Sequence, residues 1–416
     1  MSENKKLVPK RRFKEFENTD VWKQSELGEV LSGMYNGQTP SRFSAENWGG
    51  KINWLTSGEL NQGVVMKTIE KITPIGQKDA NLRVVPEGTF IMAITGLEAA
   101  GTRGSCARLG IPTTLNQSCM ALFPKENLLD SGFLFQWYKK IGESYGLKYT
   151  QGTKQQSYNA ELVKILPIIL PNVAEQKEIS NFLDNLDQTI AFQQRKLEKM
   201  KSMKSAYLSE MFPAEGERKP KRRFPGFTDD WEQRELGEIV NWSKGDKLSK
   251  EKLNESGNGE PVIHYANLYK FSPVIYDVIN WSTSNEGRLI PDNSLLFPMS
   301  DVTPVGLART STITKSGVKA GGDTLIGTVD DFYSAQFVSY FINANSNKIL
   351  PLVTGTTVRH ISANSLSKLE ILLPDIKEQQ KISDFLNSIQ ETIAFQQKKL
   401  EKLQNIKKAY LNEMFI

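Results

Sequence analysis

The chain has 416 residues, more than the usual about 100–200 residues of one domain, so we expect at least two domains. With 39% hydrophobic and 24% charged residues, the composition is that of a soluble globular protein and excludes wholesale disorder and collagen-like repeats. The formal net charge of +5 permits a nucleic-acid partner without requiring one, because residues 1–14 and 213–223 hold the basic excess.

Few residues suited to metal binding or acid–base catalysis are available. The chain contains two histidines, His264 and His360, and two cysteines, Cys106 and Cys119. This scarcity leaves little scope for zinc ligation, histidine-based catalysis or a disulfide framework. No apolar run is long enough to span a membrane, and the first residues lack the apolar core of a secretory signal. We therefore expect a cytoplasmic protein with no membrane partner.

The two halves of the chain begin and end alike. The pattern Lys-Arg-Arg-Phe, then a tryptophan, then Glu-Leu-Gly-Glu occurs at residues 10–29 and again at residues 221–238. Residues 170–212 align without a gap on residues 373–415, with 25 of the 43 positions identical. Similarity fades between these ends. A duplicated frame with divergent middles indicates two modules with the same kind of task on different targets, and a structural duplication followed by drift is the alternative.

Both divergent middles are predicted to be mixed α/β. Short β-rich runs alternate with turns rich in Gly, Pro, Asn and Ser, and each middle contains one probable helix. In chain order, the runs and helices are 51–55, 89–94, 119–123, the helix 131–145, 262–265, 295–298 and the helix 332–344. Each middle is large enough to form a domain of its own.

The loops of both middles contain side chains that contact phosphates and base edges in DNA-binding proteins. The same composition is typical of solvated loops, so the loops alone do not establish DNA binding. The candidate DNA-binding residues are Thr39, Ser41, Arg42, Arg103, Arg108, Lys148, Lys154, Gln155 and Gln156 in the first half, and Lys244, Arg309, Lys315, Lys319, Arg359 and His360 in the second.

Residues 170–212 and 373–416 are predicted to form two long helices, each with a coiled-coil seam. Apolar residues recur with alternating spacings of four and three, interrupted by a glutamine in each copy. Asn172 with Glu175, and Asp375 with Glu378, fit capping boxes at the helix starts. The seam residues are Ile179, Leu183, Leu186, Ile190, Gln193, Leu197 and Met200 in the first helix, and Ile382, Leu386, Ile389, Ile393, Gln396, Leu400 and Leu403 in the second.

Such a helix of roughly 38 residues is about 57 Å long, and two in one chain can cover each other's seams. If the helices pair antiparallel, Gln193 and Gln396 lie near one another, where buried amides can fix the register. The alternative is that each apolar stripe packs on its own domain or on a partner's helix.

No catalytic pattern is recognisable in the sequence. It lacks a phosphate-binding loop ending in Gly-Lys-Ser/Thr, a strand-linked Gly-x-Gly-x-x-Gly, and the Asn-Pro-Pro-aromatic tetrapeptide of amino-methyltransferases. Cys106 and Cys119 have neither CxxC spacing nor a histidine nearby, so we predict no metal site. The chain is therefore predicted to be non-catalytic.

The order of these features, which occurs twice, resembles the DNA-specificity subunit of type I restriction-modification enzymes. The resemblance spans nearly the whole chain. In the second half, Ser243–Lys247 stands where the first half has Gly-Gln-Thr-Pro-Ser, which leaves that DNA-facing loop undetermined. The matching segments are 12–29, 223–238, 37–41, 54–60, 116–117, the Gly-Thr steps at 152–153 and 355–356, and the helix starts at 170–179 and 373–382.

The resemblance implies α/β (α+β) recognition domains in a tandem pseudo-repeat, separated by two long helices that form an antiparallel coiled coil. Each recognition domain is expected to read one half of a bipartite, asymmetric DNA site. The implied segments are recognition domain 1 (1–169), spacer helix 1 (170–212), a basic linker (213–223), recognition domain 2 (224–372) and spacer helix 2 (373–416).

The resemblance also implies partners. They are double-stranded DNA, two modification subunits that bind S-adenosylmethionine and methylate adenine, and two restriction subunits that use ATP and Mg²⁺. No cofactor is expected on this chain itself. The alternatives are a coiled-coil adaptor that joins proteins without DNA, and a stand-alone nuclease or methyltransferase with an unrecognised site.

Overall fold

A computed structural model describes residues 7–98, 101–152 and 156–416. Contacts between residues divide the chain into two compact units, called here unit 1 (Met1–Gln194 with Lys398–Ile416) and unit 2 (Arg195–Gln397). Each unit joins one half of the repeat to the beginning of one long helix and the end of the other. The domain limits given above follow the repeat rather than these contacts, and they stay predictions.

The described part of unit 1 forms three sheets. Its helices are α1 (Leu27–Val30), α2 (Pro74–Asp79), α3 (Ser131–Tyr149), α4 (Ala160–Lys164) and the first part of α5 (Val173–Met211). Its strands are β1 (Lys23–Glu26), β2 (Leu31–Asn36), β3 (Trp48–Leu55), β4 (Gly63–Val65), β5 (Glu70–Ile72), β6 (Phe90–Ala93), β7 (Cys106–Leu109), β8 (Thr114–Leu115), β9 (Cys119–Pro124) and β10 (Pro167–Leu170). The sheets have the orders β2-β9-β6-β7-β4, β5-β3-β8 and β1-β10.

The described part of unit 2 repeats this plan with one further strand pair, β18-β22, and a fourth strand in its second sheet. Its strands are β11 (Glu232–Glu235), β12 (Val240–Lys244), β13 (Glu260–His264), β14 (Val274–Ile275), β15 (Asn280–Ser282), β16 (Arg288–Leu289), β17 (Ser294–Pro298), β18 (Ser300–Asp301), β19 (Ser311–Ile313), β20 (Lys319–Gly321), β21 (Thr324–Val329), β22 (Arg359–His360) and β23 (Glu370–Leu373). Its helices are α6 (Leu236–Ile239), α7 (Pro304–Leu307), α8 (Ala335–Ala344), α9 (Ala363–Ser367) and the first part of α10 (Ile376–Met414). The sheets have the orders β12-β21-β17-β19-β14, β15-β13-β20-β16, β11-β23 and β18-β22.

The five-stranded sheets of the two units have the same topology. In both, the edge strand (β4 or β14) runs parallel to its neighbour and the other pairs are antiparallel. The repeated tryptophan and Glu-Leu-Gly-Glu motif serve this scaffold, because Trp22, Leu27, Trp231 and Leu236 are all buried in the unit cores. The mixed α/β prediction for both middles is therefore confirmed, including where sequence similarity had faded.

The two long helices are α5 and α10, each of 39 residues, and they run antiparallel within each unit. In unit 1 the rings of Phe182 and Tyr410 lie 4.8 Å apart, and Asp187 forms an ion pair of 2.5 Å with Lys407. In unit 2 the rings of Tyr207 and Phe385 lie 4.8 Å apart. Residue numbers rise along one helix as they fall along the other, which confirms the predicted antiparallel direction.

The predicted seam faces inward along its whole length. Nine seam positions are buried and the other five, Leu186, Met200, Ile389, Ile393 and Leu403, are half-buried. The start of each stripe also packs on the core of its own unit, Ile179 and Leu183 in unit 1, and Ile382 and Leu386 in unit 2. Pairing of the helices and packing on the unit cores therefore occur together and are not alternatives. The approach of Gln193 to Gln396 stays a prediction.

The capping-box prediction is correct for the two cap residues, Asn172 and Asp375, but not for the two glutamates. Asn172 Oδ1 accepts a hydrogen bond of 2.9 Å from the Glu175 N–H, and Asp375 Oδ1 accepts one of 2.8 Å from the Lys377 N–H. Glu175 and Glu378 do not reach back to the caps. They accept bidentate hydrogen bonds from two arginines of the repeated opening motif, which are stronger partners than a backbone N–H.

Candidate nucleic-acid interface

Loops from four parts of each unit meet at one end of the five-stranded sheet, and we call this end the loop edge. In unit 1 the end of β2 lies beside the start of β9 (Asn36 opposite Met120), and the end of β6 lies beside the same start (Ala93 opposite Cys119). The chain turns there in every case. The described loop edge consists of residues 37–42, 94–98, 101–104, 116–118, 150–152 and 156–158 in unit 1, and 244–249, 299–308, 321–323 and 353–361 in unit 2.

Equivalent hydrogen bonds hold the loop edges of the two units. Thr95 Oγ1 donates to Ser118 Oγ over 2.7 Å in unit 1, and Ser300 Oγ donates to Asp323 Oδ2 over 3.1 Å in unit 2. The N–H of Tyr158 donates to the Ile94 carbonyl over 2.8 Å, as the N–H of Ile361 donates to the Met299 carbonyl over 3.1 Å. These residues were missed in the sequence. The residues 94, 95 and 118 correspond to 299, 300 and 323 at an offset of 205, and 158 corresponds to 361 at an offset of 203, which was the available signal.

In unit 1 the loop edge brings Arg103 and Gln156 together. Arg103 Nη2 donates to Gln156 Oε1 over 3.0 Å and to the Glu98 carbonyl over 3.1 Å. Gly146 of α3 allows this, because a Cβ there would lie about 3.0 Å from the Arg103 stem. Lys148 lies in the last turn of α3, with its ammonium 5.1 Å from the Tyr149 ring centre. Lys154 and Gln155 lie outside the described residues.

The Gly-Gln-Thr-Pro-Ser segment is held closely against the sheet. A Cβ on Gly37 would lie 2.0 Å from the Leu115 carbonyl oxygen, so the turn requires glycine there. Thr39 donates a hydrogen bond to Gln117, which fixes the segment to the 116–118 loop. The Ser41 N–H donates to Asp79 Oδ2 over 2.9 Å. Thr39 therefore lies at the loop edge and contacts the 116–118 loop. The hydrogen bond with Asp79 of α2 holds the backbone of Ser41.

Arg42 and Arg108 are both engaged by carboxylates. The Arg42 guanidinium lies 3.7 Å from the Trp48 ring centre and forms two hydrogen bonds with Glu70, of 2.5 and 2.8 Å. These bonds raise the pKa of Arg42 and lower the pKa of Glu70. Arg108 Nη2 lies 2.6 Å from Asp184 Oδ2 of α5. Arg108 thus points to the long helix and not to the loop edge.

In unit 2 the loop edge brings Lys244, Arg359 and His360 together. Strand β22 pairs with β18, so His360 lies opposite Ser300 and Arg359 opposite Asp301. Asp323, which binds Ser300, forms an ion pair of 2.9 Å with Lys244, and this contact lowers the pKa of Asp323. Three predicted residues from distant parts of the sequence therefore share one surface.

The other predicted residues of unit 2 lie apart from this group. Arg309 Nη1 donates to the Leu268 carbonyl over 3.4 Å, and its guanidinium lies 5.4 Å from the Tyr269 ring centre. Lys315, beyond the far end of β19, forms an ion pair of 3.3 Å with Asp277. Lys319 begins β20 and pairs with Glu260. The structure does not bring these three together.

The loop that the sequence left undetermined in unit 2 occupies the same place as its counterpart. The Gly37 N–H donates to the carbonyl of Cys119 at the start of β9, over 3.3 Å. The Gly245 N–H donates to the carbonyl of Thr324 at the start of β21, over 2.8 Å. Ser243–Lys247 therefore stands where 35–39 stands in unit 1, with the glycine retained and the other side chains changed.

Residues 7–98, 101–152 and 156–416 contain neither a membrane-spanning helix nor a metal site. No helix in these ranges combines the length and apolar character needed to cross a membrane. No group of His, Cys, Asp and Glu in the same ranges is arranged to hold a metal ion.

A family model described as the type I restriction modification DNA specificity domain matches the chain twice, over residues 19–202 and 228–405. Two relatives come from Methanocaldococcus jannaschii. The putative type I restriction enzyme MjaX specificity subunit is 25% identical, covering 94% of this chain and 92% of that protein. The type I restriction enzyme MjaVIII specificity subunit is 23% identical, covering 96% of this chain and 94% of that protein.

One solved structure shows that the fold is shared. The S subunit of a type I restriction-modification system from M. genitalium superposes with a TM-score of 0.63 at 15% sequence identity, covering 99% of each chain. The family match covers most of both halves, in agreement with the repeated scaffold. The chain therefore belongs to the type I restriction-modification DNA specificity family, as a specificity subunit with two recognition domains.

Proposed function

We propose that the chain is the DNA-reading subunit of a type I restriction-modification complex, in which each recognition domain binds one half of a bipartite, asymmetric site. The observation that carries this proposal is the loop edge. The same sheet order and the same hydrogen bonds support it in both units, whereas its side chains differ. Two different half-sites need one supporting scaffold and two different contact surfaces. The double family match supports the same conclusion.

The side chains at the loop edge suit duplex DNA. Arginine and lysine side chains contact phosphates, or guanine in the major groove, and amide and hydroxyl groups pair with base edges. Arg103 with Gln156 supplies a guanidinium and an amide in unit 1. Lys244 and Arg359 supply positive charge in unit 2, and His360 supplies an imidazole beside them. Phosphate contacts would set the register, and base contacts would select the sequence.

Catalysis belongs to partner subunits in this proposal. Two modification subunits would bind S-adenosylmethionine and methylate adenine, and two restriction subunits would use ATP and Mg²⁺ to move and cleave DNA. The specificity subunit would hold no cofactor itself. Because a methylated adenine must leave the base stack, the modification subunit would extrude it while the recognition domains hold the flanking duplex.

The proposal is tested by measuring DNA binding of the purified complex that contains this chain. Adenine methylation is first mapped in cells with and without the chain, which gives the recognised sequence. At physiological salt, the complex should bind a duplex with this sequence at least about a thousandfold more tightly than a scrambled duplex. Equal binding of both duplexes, with partner binding that is indifferent to DNA, would instead support a coiled-coil adaptor.

A pair of variants localises the interaction to the loop edge. Arg359→Ala should weaken binding to the recognised duplex by about 1–3 kcal/mol, because it removes a guanidinium from the proposed interface. Lys315→Ala is the matched control, since Lys315 lies beyond the far end of β19. Equal effects of both variants would show that charge in general, and not the loop edge, supports binding.

A further inference from the structure

Three exposed valines lie together at the loop edge of unit 2. Asp301, the last residue of β18, lies opposite Arg359, the first residue of β22. Val302 directly follows β18 and Val358 directly precedes β22, so both valines lie one position beyond this pair. Their exposed fractions are 76% and 46%, and that of Val305 in α7 is 67%. Single exposed apolar residues are ordinary on protein surfaces, whereas a group on one strand pair and its adjoining helix indicates a contact surface. We call this group the valine tip.

Local hydrogen bonds fix the backbone of the valine tip. Asp301 Oδ1 accepts from the Thr303 N–H over 2.6 Å and from Thr303 Oγ1 over 3.0 Å. Thr303 Oγ1 in turn accepts from the Gly306 N–H at the start of α7, over 3.1 Å. Gly306 is needed for this packing, because a Cβ there would lie 2.2 Å from the Asp301 carboxylate. The valines are therefore presented on an ordered backbone, and binding would cost little ordering entropy.

The surroundings of the valine tip favour DNA as the occupant. Arg359 and His360 follow Val358 directly, and Arg359 Nη1 donates a hydrogen bond to the Gly355 carbonyl, which fixes the guanidinium beside the valine tip. The nearby carboxylates are engaged, Asp301 by Thr303 and Asp323 by Lys244. The groups left to meet a partner are valine methyls beside the positively charged Arg359, and they continue the surface proposed above to bind DNA.

The corresponding part of unit 1 has a different chemistry. Leu97, which follows β6 there, is buried, and the described residues around it include Glu98, Arg103 and Gln156. Hydrogen-bonding groups thus dominate the described loop edge of unit 1, and apolar methyls dominate the tip of unit 2. Two recognition domains with one scaffold therefore present different chemical groups.

We propose that the valine tip contacts the 5-methyl groups of thymines in the major groove of the half-site bound by unit 2. This inference rests on the proposed function. Thymine is the base that presents a methyl group in the major groove, and apolar side chains are its usual partners there. The half-site bound by unit 2 would therefore contain at least one thymine selected through its methyl group.

The test replaces each thymine of the recognised duplex by deoxyuridine, one at a time, in both half-sites. Binding to the assembled complex is measured by competition. At one or more positions of a single half-site, the loss of one methyl should weaken binding about fourfold, corresponding to about 0.8 kcal/mol. The variant Val302→Ser/Val305→Ser/Val358→Ser, which removes all the methyl groups of the valine tip, should bind the thymine and deoxyuridine duplexes equally at those positions. Leu289→Ser, at an exposed residue of β16, is the control and should keep the discrimination.

The outcomes separate this inference from the proposed function. Preference for the recognised over the scrambled duplex, without any effect of deoxyuridine, would overturn the inference and leave the proposed function in place. A deoxyuridine effect that persists in the valine variant would also overturn it, with thermal unfolding used to check that the variant folds. Equal binding of recognised and scrambled duplexes would remove the proposed function and this inference together. The deoxyuridine scan of the unaltered protein needs no variant.

Discussion

The repeated Lys-Arg-Arg-Phe motif shows how basic residues can serve the fold. Arg12 forms a bidentate ion pair with Glu175, whose side chain is fully buried at the start of α5. Arg223 forms the same pair with Glu378 at the start of α10. The Trp22 indole N–H also donates to Glu175, over 3.3 Å. Arg12 and Arg223, two of the basic residues at the module openings, are therefore neutralised inside the protein and are not available to DNA.

The buried arginine pairs make a prediction about stability. Arg12→Ala should lower the free energy of unfolding by about 3–5 kcal/mol, because it leaves the Glu175 carboxylate buried without its partner. Arg11→Ala is the matched control. Its ion pair with Glu413 is about half exposed, and pairs of that kind contribute little to stability because water screens them. Urea denaturation of the three proteins measures the difference, and equal midpoints would contradict the assigned role of Glu175.

The two cysteines make a prediction about reactivity with pH. Burial raises the pKa of the Cys106 thiol to about 12 and raises that of Cys119 as well. The thiolate is the reactive form, and a raised pKa lowers its population at any given pH. At pH 8 the folded chain should therefore react with a thiol reagent far more slowly than the urea-unfolded chain, in which both thiols titrate near their ordinary values. Rapid labelling of the folded chain would show that at least one thiol is accessible.

At the scale of elements, the long helices depend on two kinds of packing. Leu183 of α5 and Leu386 of α10 are fully buried seam residues that also belong to the cores of their units. The exposed faces of the same helices carry large side chains as well, including Phe192. Hydrophobic content alone does not identify the seam, whereas the alternation of four and three residues does, because it follows one side of each helix.

Substitution on the two sides of α5 separates these roles. Leu183→Ala should destabilise unit 1 by about 2–5 kcal/mol, since it removes a large side chain from a site that cannot collapse around the cavity. Phe192→Ala should have little effect on stability, because Phe192 is 61% exposed. Thermal unfolding of both variants provides the measurement. A larger loss for Phe192→Ala than for Leu183→Ala would show that the seam has been assigned to the wrong face.

At the scale of the whole molecule, α5 and α10 each continue from one unit into the other. Their length is therefore a property of the connection between the recognition domains, and not of either domain alone. The proposed bipartite site needs such a connection, because a fixed spacer between half-sites requires a fixed path between the domains that bind them.

Lengthening α5 tests this connection. Insertion of four residues within 186–200 adds about 6 Å of helix, and it should change the preferred spacer while both half-sites stay the same. Mapping of methylated adenines in cells that express the variant gives the spacer directly. An unchanged spacer would show that helix length does not set the spacing, and altered half-sites would show that the insertion disturbs the recognition domains.

The sequence by itself determined the repeat, the two long helices and the family. These features depend on local spacing, since heptads, caps and repeated motifs are visible without knowledge of distant neighbours. The mixed α/β nature of the middles was predictable for the same reason, because short β-rich runs lie between turn residues. The sequence shows a glutamate in the first turn of each long helix, Glu175 and Glu378. It does not show that each glutamate binds an arginine of the repeated opening motif.

Only the tertiary structure decided which basic residues are held by the fold and which reach the loop edge. Arg12 is 163 residues from Glu175, and Arg108 is 76 residues from Asp184, so no local pattern reveals either ion pair. Arg103 meets Gln156, and Lys244 shares a surface with Arg359, because strands distant in sequence end at one side of a sheet. A charged side chain looks the same in the sequence whether its partner is a buried carboxylate or a ligand, and the fold makes the distinction.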